Sequence, residues 1–156
     1  MRAVALKYAI LASAALLVSA SSVSAEDWRV TGDNDWTVQA VDISSMRIAD
    51  RLRSFWTVTI HAERQSSGED YSILHQRIHC DAKTIQTLAW VKYTLGEPSP
   101  ISSSQEPDKE TAINPDTIDW DKQQAVCSNV FAQPLEVSSS RQLARIVRQI
   151  LTDENP

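Results

Sequence analysis

Glycine is scarce in this chain: Gly32, Gly68 and Gly96 are the three present, and they stand far apart. That excludes a glycine-rich phosphate loop and a G-x-S-x-G nucleophile elbow, both of which need closely spaced glycines to bend the backbone or bring it against a ligand. An H-E-x-x-H pair and a short Cys/His cluster are likewise missing, so a closed metal site has no sequence signature. Basic charge is also in deficit. Fifteen Lys and Arg face 20 Asp and Glu, a formal net charge of −5, which argues against a nucleic-acid footprint. The apolar run from Ala9 to Val18 is about half of the ~20 residues needed to cross a bilayer.

What is present fits one globular domain behind a leader. Hydrophobic residues make up 42% and charged residues 22% of 156, an ordinary balance for a folded chain of this length. Arg2 and Lys7 precede the apolar run, and Val23-Ser24-Ala25 offers small side chains to signal peptidase. A signal peptide over residues 1–25, cleaved after Ala25, is therefore expected. Without its two bases the mature chain carries −7. The cleavage point holds no Cys to receive a lipid, so the mature chain is expected to be soluble, in a periplasm or outside the cell.

An exported protein gains from oxidising its thiols. Cys80 and Cys127 are the two cysteines, and an intramolecular disulfide between them is expected; an intermolecular bridge and two buried thiols are the alternatives.

From Trp28 to Leu95 there is no proline, and Trp, Val, Ile, Thr, Phe and Tyr recur densely. Such a stretch suits half-buried strands of an antiparallel sheet. Strands are expected over Trp36–Val41, Met46–Leu52, Ser54–Glu63, Tyr71–Cys80 and Thr84–Leu95, with turns at Gly32-Asp33-Asn34 and Ser66-Ser67-Gly68. Glu97 to Pro115 reads as a long exposed loop of Pro, Ser and charge. Asn114-Pro115-Asp116 resembles a helix start with Asn as cap, leading a helix to Cys127. Beyond Pro134, Ser138 or Ser139 caps a second helix to about Leu151, its apolar stripe formed by Leu143, Ile146, Val147, Ile150 and Leu151. A membrane-surface role for that helix is disfavoured by its short stripe and the acidic surroundings.

Strand alternation assigns faces once a register is assumed. Pairing Trp56 with Ile78 and Ile60 with Leu74 gathers one apolar face that also takes Cys80. The other face then carries His61, His75, Arg77 and His79, with Leu88 and Trp90 beyond. His61, His75, Arg77 and Trp90 form the candidate binding face, because Trp and Arg dominate interface hot spots. Two diagonal imidazoles also suggest metal or haem ligation, but two ligands do not close a site. Carboxylate pairs such as Glu69-Asp70 and Asp119 with Asp121 are explained by solvation and capping, so catalytic residues are not assigned.

Trp36 leading to Val41-Asp42-Ile43-Ser44-Ser45-Met46, then Phe55-Trp56-Thr57-Val58, Ile78-His79-Cys80-Asp81, Tyr93 with Leu95-Gly96, and Ile113-Asn114-Pro115-Asp116 running to Val126-Cys127 follow one another in a familiar order. In this order the chain resembles the surface-adhesin protein E family, small exported proteins of Gram-negative bacteria. The resemblance implies a six-stranded sheet, a helix ending at Cys127 held to it, and a non-catalytic protein that in the name-giving members adheres to host proteins. Those adhesins look lipid-anchored, whereas this chain lacks the lipidation Cys and adds Phe131 to Pro156. No adhesin binding residue matches a position here.

The expectation is thus an α+β protein with a sheet-and-helix domain over 26–133 and a C-terminal amphipathic extension over 134–156. Its function is binding or accessory, adhesin-like, without cofactor, nucleic acid or mature transmembrane segment, and with a protein as partner. The alternative is a periplasmic small-ligand, metal or haem binder using the histidines.

Overall fold

The structure is a computed structural model that describes residues 25–153. The expected signal peptide lies almost wholly outside the described residues. Five long strands form a meander: β1 (Trp28–Asn34), β2 (Thr37–Ala49), β3 (Leu52–His61), β4 (Tyr71–His79) and β5 (Thr84–Tyr93). Every neighbouring pair is antiparallel. Two short strands, β6 (Ser102–Ser104) and β7 (Thr111–Ala112), add to the two ends of β5's outer edge. The segment read as a loop therefore covers the sheet edge, in pieces too short to show alternation.

Two turns fall elsewhere than expected. β1 continues through Gly32, and the chain reverses at Asp35-Trp36, where the Asn34 carboxamide accepts from Trp36 N at 2.9 Å. Gly32 is there for proximity: a Cβ on it would lie 2.9 Å from Ile118 Cγ1. β2 runs on to Ala49 and turns at Asp50-Arg51, with Asp50 at φ 53°. Its register slips between Asp42 and Arg47. There Ser45 Oγ accepts from Trp56 N at 2.9 Å and donates to Asp42 O at 2.6 Å, so side chains satisfy backbone groups that the bulge removes from the ladder.

α1 (Ile118–Ser128) begins two residues later than expected, capped by Thr117 and not Asn114. Ile113 N is still bonded to Lys83 O at 2.8 Å, and Asp116 sits at φ 61°, so the chain turns once more before it can coil. α2 (Ser140–Asp153) is capped by Ser139, whose hydroxyl accepts from Gln142 N at 3.3 Å.

The helices pack on opposite faces of the sheet and define two cores. Under α1 lie Val41, Phe55, Ile78, Ile85 and Ile113 with Val126. There the Cys80–Cys127 disulfide, with Cα atoms 5.7 Å apart, ties α1 to the end of β4. Under α2 lie Trp28, Ala40, Val58, Ile60 and Tyr71 with Leu143, Ala144 and Val147.

Candidate functional site

The register of β3 with β4 decides which side chains meet. Trp56 pairs with His75 and Ile60 with Tyr71, three residues away from the expected partners. The shift is odd, so β4 presents the opposite parity to the one expected. The cause lies in the connection: His61 N bonds Asp70 O, and Gln65 N bonds Glu69 O, which centres the hairpin before Gly68. A second irregularity follows in β5, where Gln76 pairs with Thr87 but His75 with Ala89. That bulge brings Trp90 to the α1 face, opposite Leu74.

The four residues of the expected binding face are consequently divided. His61 and Trp90 stand on the α1 face, where the two changes of parity cancel for Trp90. His75 and Arg77 stand on the α2 face. His75 stacks on Trp56 with centroids 4.9 Å apart, and its burial lowers its pKa. Exposed Arg77 donates to Gln86 Oε1 at 2.6 Å. His61 and His75, on opposite sides of the sheet, do not share one ligand. Among the described residues no three of His, Cys, Asp and Glu gather to hold a metal ion.

α1 runs along β1, from Gly32 to the disulfide, and leaves the face of β3 to β5 uncovered toward the β3–β4 turn. This uncovered part is an open groove of about 670 Å³, within the ~300–1,000 Å³ typical of small-ligand sites. Its floor is a cross-strand row, Gln39–Thr59–Ser72–Lys92, followed by Leu74 and Trp90 of the next row, whose Val41 and Thr57 are fully buried and do not line the groove. One wall is charged. Glu69 Oε2 receives Lys92 Nζ at 2.8 Å, and His61 Nε2 lies 3.5 Å from Oε1. Burial opposes ionisation of Glu69, but bonds from Lys92 and Ser72 and the charge of Lys92 outweigh it and hold the carboxyl below its ordinary range.

The opposite wall is where α1 begins. Lys122 is fully buried, with Nζ 2.9 Å from Gln76 Oε1 and 2.8 Å from Asp119 Oδ1. Burial lowers its pKa against the pull of Asp119. Trp90 closes the groove with Lys92 Nζ 5.3 Å from its ring centre.

Gln39 Oε1, Thr57 Oγ1 and Thr59 Oγ1 are buried and lack a hydrogen-bond partner among the described residues. Each such atom costs about 1–3 kcal/mol in a folded protein. That three of them share adjacent rows of one face distinguishes this surface from an ordinary sheet face. The sequence does mark them: Thr57, Thr59 and His61 alternate with Trp56, Val58 and Ile60. Glu69, expected in solvent, is instead buried and paired with Lys92, and Gln39 and Lys92 went unread because their contribution depends on the register.

The surface-adhesin protein E family model matches residues 28–128. Solved structures similar to the chain include crystal form II of Haemophilus influenzae protein E, 14% identical, covering 58% of this chain and 80% of that one with a TM-score of 0.46. Another structure of the same protein is 12% identical and covers 66% and 85%, also at 0.46. No curated protein sequence matches significantly. The family match runs from the first residue of β1 to the last of α1, and the chain belongs to the surface-adhesin protein E family.

Proposed function

We propose that this protein is an exported, non-catalytic binding protein with an adhesin-like role, and that it engages a host-surface protein through the groove on its α1 face. The carrying observation is the unpartnered polar floor of Gln39 and Thr59 beside Trp90 in a groove left uncovered by α1. Family membership supports the adhesive role. Of the expected binding residues, His61 and Trp90 belong to this surface; His75 and Arg77 serve the other face. The leader supports export, and no helix among the described residues is long and apolar enough to cross a membrane.

The test is binding of the labelled, oxidised, processed protein to epithelial monolayers. Trp90→Ala is expected to lower bound protein about tenfold, in the range of an interface hot spot, with its thermal unfolding unchanged. Arg77→Ala, on the opposite face, is expected to bind like the parent. Equal losses from both variants, or from neither, would remove the groove from the function.

A further inference from the structure

The partner chemistry of the groove follows from which of its groups are already satisfied. Apart from Asp108 at the rim, its charges are compensated within the protein: Glu69 by Lys92, Asp119 by Lys122. The cations are committed to these carboxylates, so a ligand anion would have to compete with Glu69 for Lys92. The paired acids leave little for a ligand cation. The groups without partners are neutral, one amide oxygen and two hydroxyls, of which Gln39 and Thr59 line the groove. Both side chains are more than nine-tenths buried.

A ligand that satisfies such a floor carries several uncharged donors at close spacing, since an amide oxygen accepts and a threonine hydroxyl donates or accepts. It also presents an apolar side to Trp90. A pyranose ring has both properties, with hydroxyls around its rim and C–H groups across one face. We propose that the groove binds an uncharged sugar, Gln39 and Thr59 bonding its hydroxyls and Trp90 packing on its C–H face. Asp108 and Asp119, which also line the groove, supply carboxylate acceptors for hydroxyls at its rim. This rests on the groove being the partner site and names the part of a glycosylated partner it holds.

The experiment is an NMR titration of the oxidised, processed protein with a panel of neutral mono- and disaccharides containing glucose, galactose, mannose and N-acetylglucosamine. N-acetylneuraminic acid and inorganic phosphate serve as charged counterparts. A neutral sugar is expected to shift the Trp90 indole, Gln39 amide and Thr59 methyl resonances saturably, with the charged probes inert. Thr59→Val keeps the side-chain shape and the fold, and is expected to weaken that sugar about tenfold, the scale of one lost hydrogen bond in a desolvated site. The proposal is overturned if no neutral sugar shifts these resonances, if a charged probe binds in preference, or if Thr59→Val binds as the parent does.

Failure here is separable from failure of the adhesive reading. Monolayer binding that needs Trp90 but survives enzymatic removal of surface glycans would overturn the sugar and retain the groove. Sugar binding without any monolayer binding would do the reverse.

Discussion

The two faces of the sheet are closed by different physics. On the α1 face a covalent link holds a short helix along the β1 side, and a polar groove remains open over β3 to β5. On the α2 face a longer helix lays Leu143, Ala144 and Val147 on an apolar row, and an ion pair fixes its far half. Arg148 Nη1 reaches Asp70 Oδ1 at 3.2 Å and donates to His61 O at 2.9 Å. Asp70 also receives Leu95 N at 2.7 Å and Arg64. A helix with a wide apolar stripe is retained by burial and needs only orientation. α1 buries Val126 together with the polar Lys122 and Gln123, so its attachment depends on the disulfide. The family match includes α1 and stops before α2.

The largest test of that difference is to remove the staple. The disulfide spans 47 residues, for which the chain-entropy account gives about 4 kcal/mol. Cys80→Ala with Cys127→Ala should lower the urea midpoint accordingly, and proteolysis should release α1 before α2. Equal protection of the two helices would refute the contrast.

Next is Asp70, whose side chain is 1% exposed. Desolvation raises its pKa, but the bonds from Arg64 and Leu95 N and the charges of Arg64 and Arg148 prevail and hold it below its ordinary value. Its contribution to stability is therefore full above about pH 3.9 and is lost as pH falls through the lower folded value. Asp70→Asn should cost roughly 3 kcal/mol at neutral pH, with Arg64 half in solvent keeping it at the low end for a broken buried pair. His75, lowered by burial, acts at milder acidity: stability declines as pH falls from about 6.5 through its folded pKa. Denaturant curves between pH 7 and pH 3 should show both stages, with His75→Phe erasing the first and Asp70→Asn the second.

A smaller effect is expected at Gly32, where β1 meets α1. A methyl group 2.9 Å from Ile118 Cγ1 forces the helix outward, and Gly32→Ala should cost about 2 kcal/mol as overpacking does. Hydrogen exchange should rise in α1 and stay unchanged in α2; a uniform rise would mean that the faces unfold as one unit.

Much of this arrangement is legible in the amino-acid order. β3, β4 and β5, the disulfide and the cap at Ser139 follow from alternation, compartment and capping chemistry acting locally. β1 was hidden because Gly32-Asp33-Asn34 imitates a turn, while the glycine answers to Ile118 across space. The faces were harder. The β3–β4 register is fixed by Asp70, whose partners Leu95 and Arg148 are distant in sequence, and the β5 bulge has no marker of its own. His61 and Trp90 share a face through these two features together, which alternation within either strand alone does not reveal. Of the paired groups of the groove wall, Asp119 and Lys122 are neighbours three apart on α1, whereas Glu69 and Lys92 come from different segments and become visible only with the register.

The smallest expected effect discriminates the faces most directly, because it compares adjacent residues of one strand. Thr57 and Val58 are both fully buried, the first toward α1 and the second toward α2. Thr57 Oγ1 has no partner, so Thr57→Val removes a desolvated hydroxyl at constant shape and should leave stability within about 0.5 kcal/mol or raise it. Val58→Thr introduces a hydroxyl among Ala40, Ile60, Tyr71 and Leu143 and should cost about 1–3 kcal/mol. Paired denaturant curves on the two single variants read the difference. If Thr57→Val instead costs as much as Val58→Thr, the Thr57 hydroxyl is bonded in the folded protein, and the two faces do not differ at this strand in how they treat a buried hydroxyl.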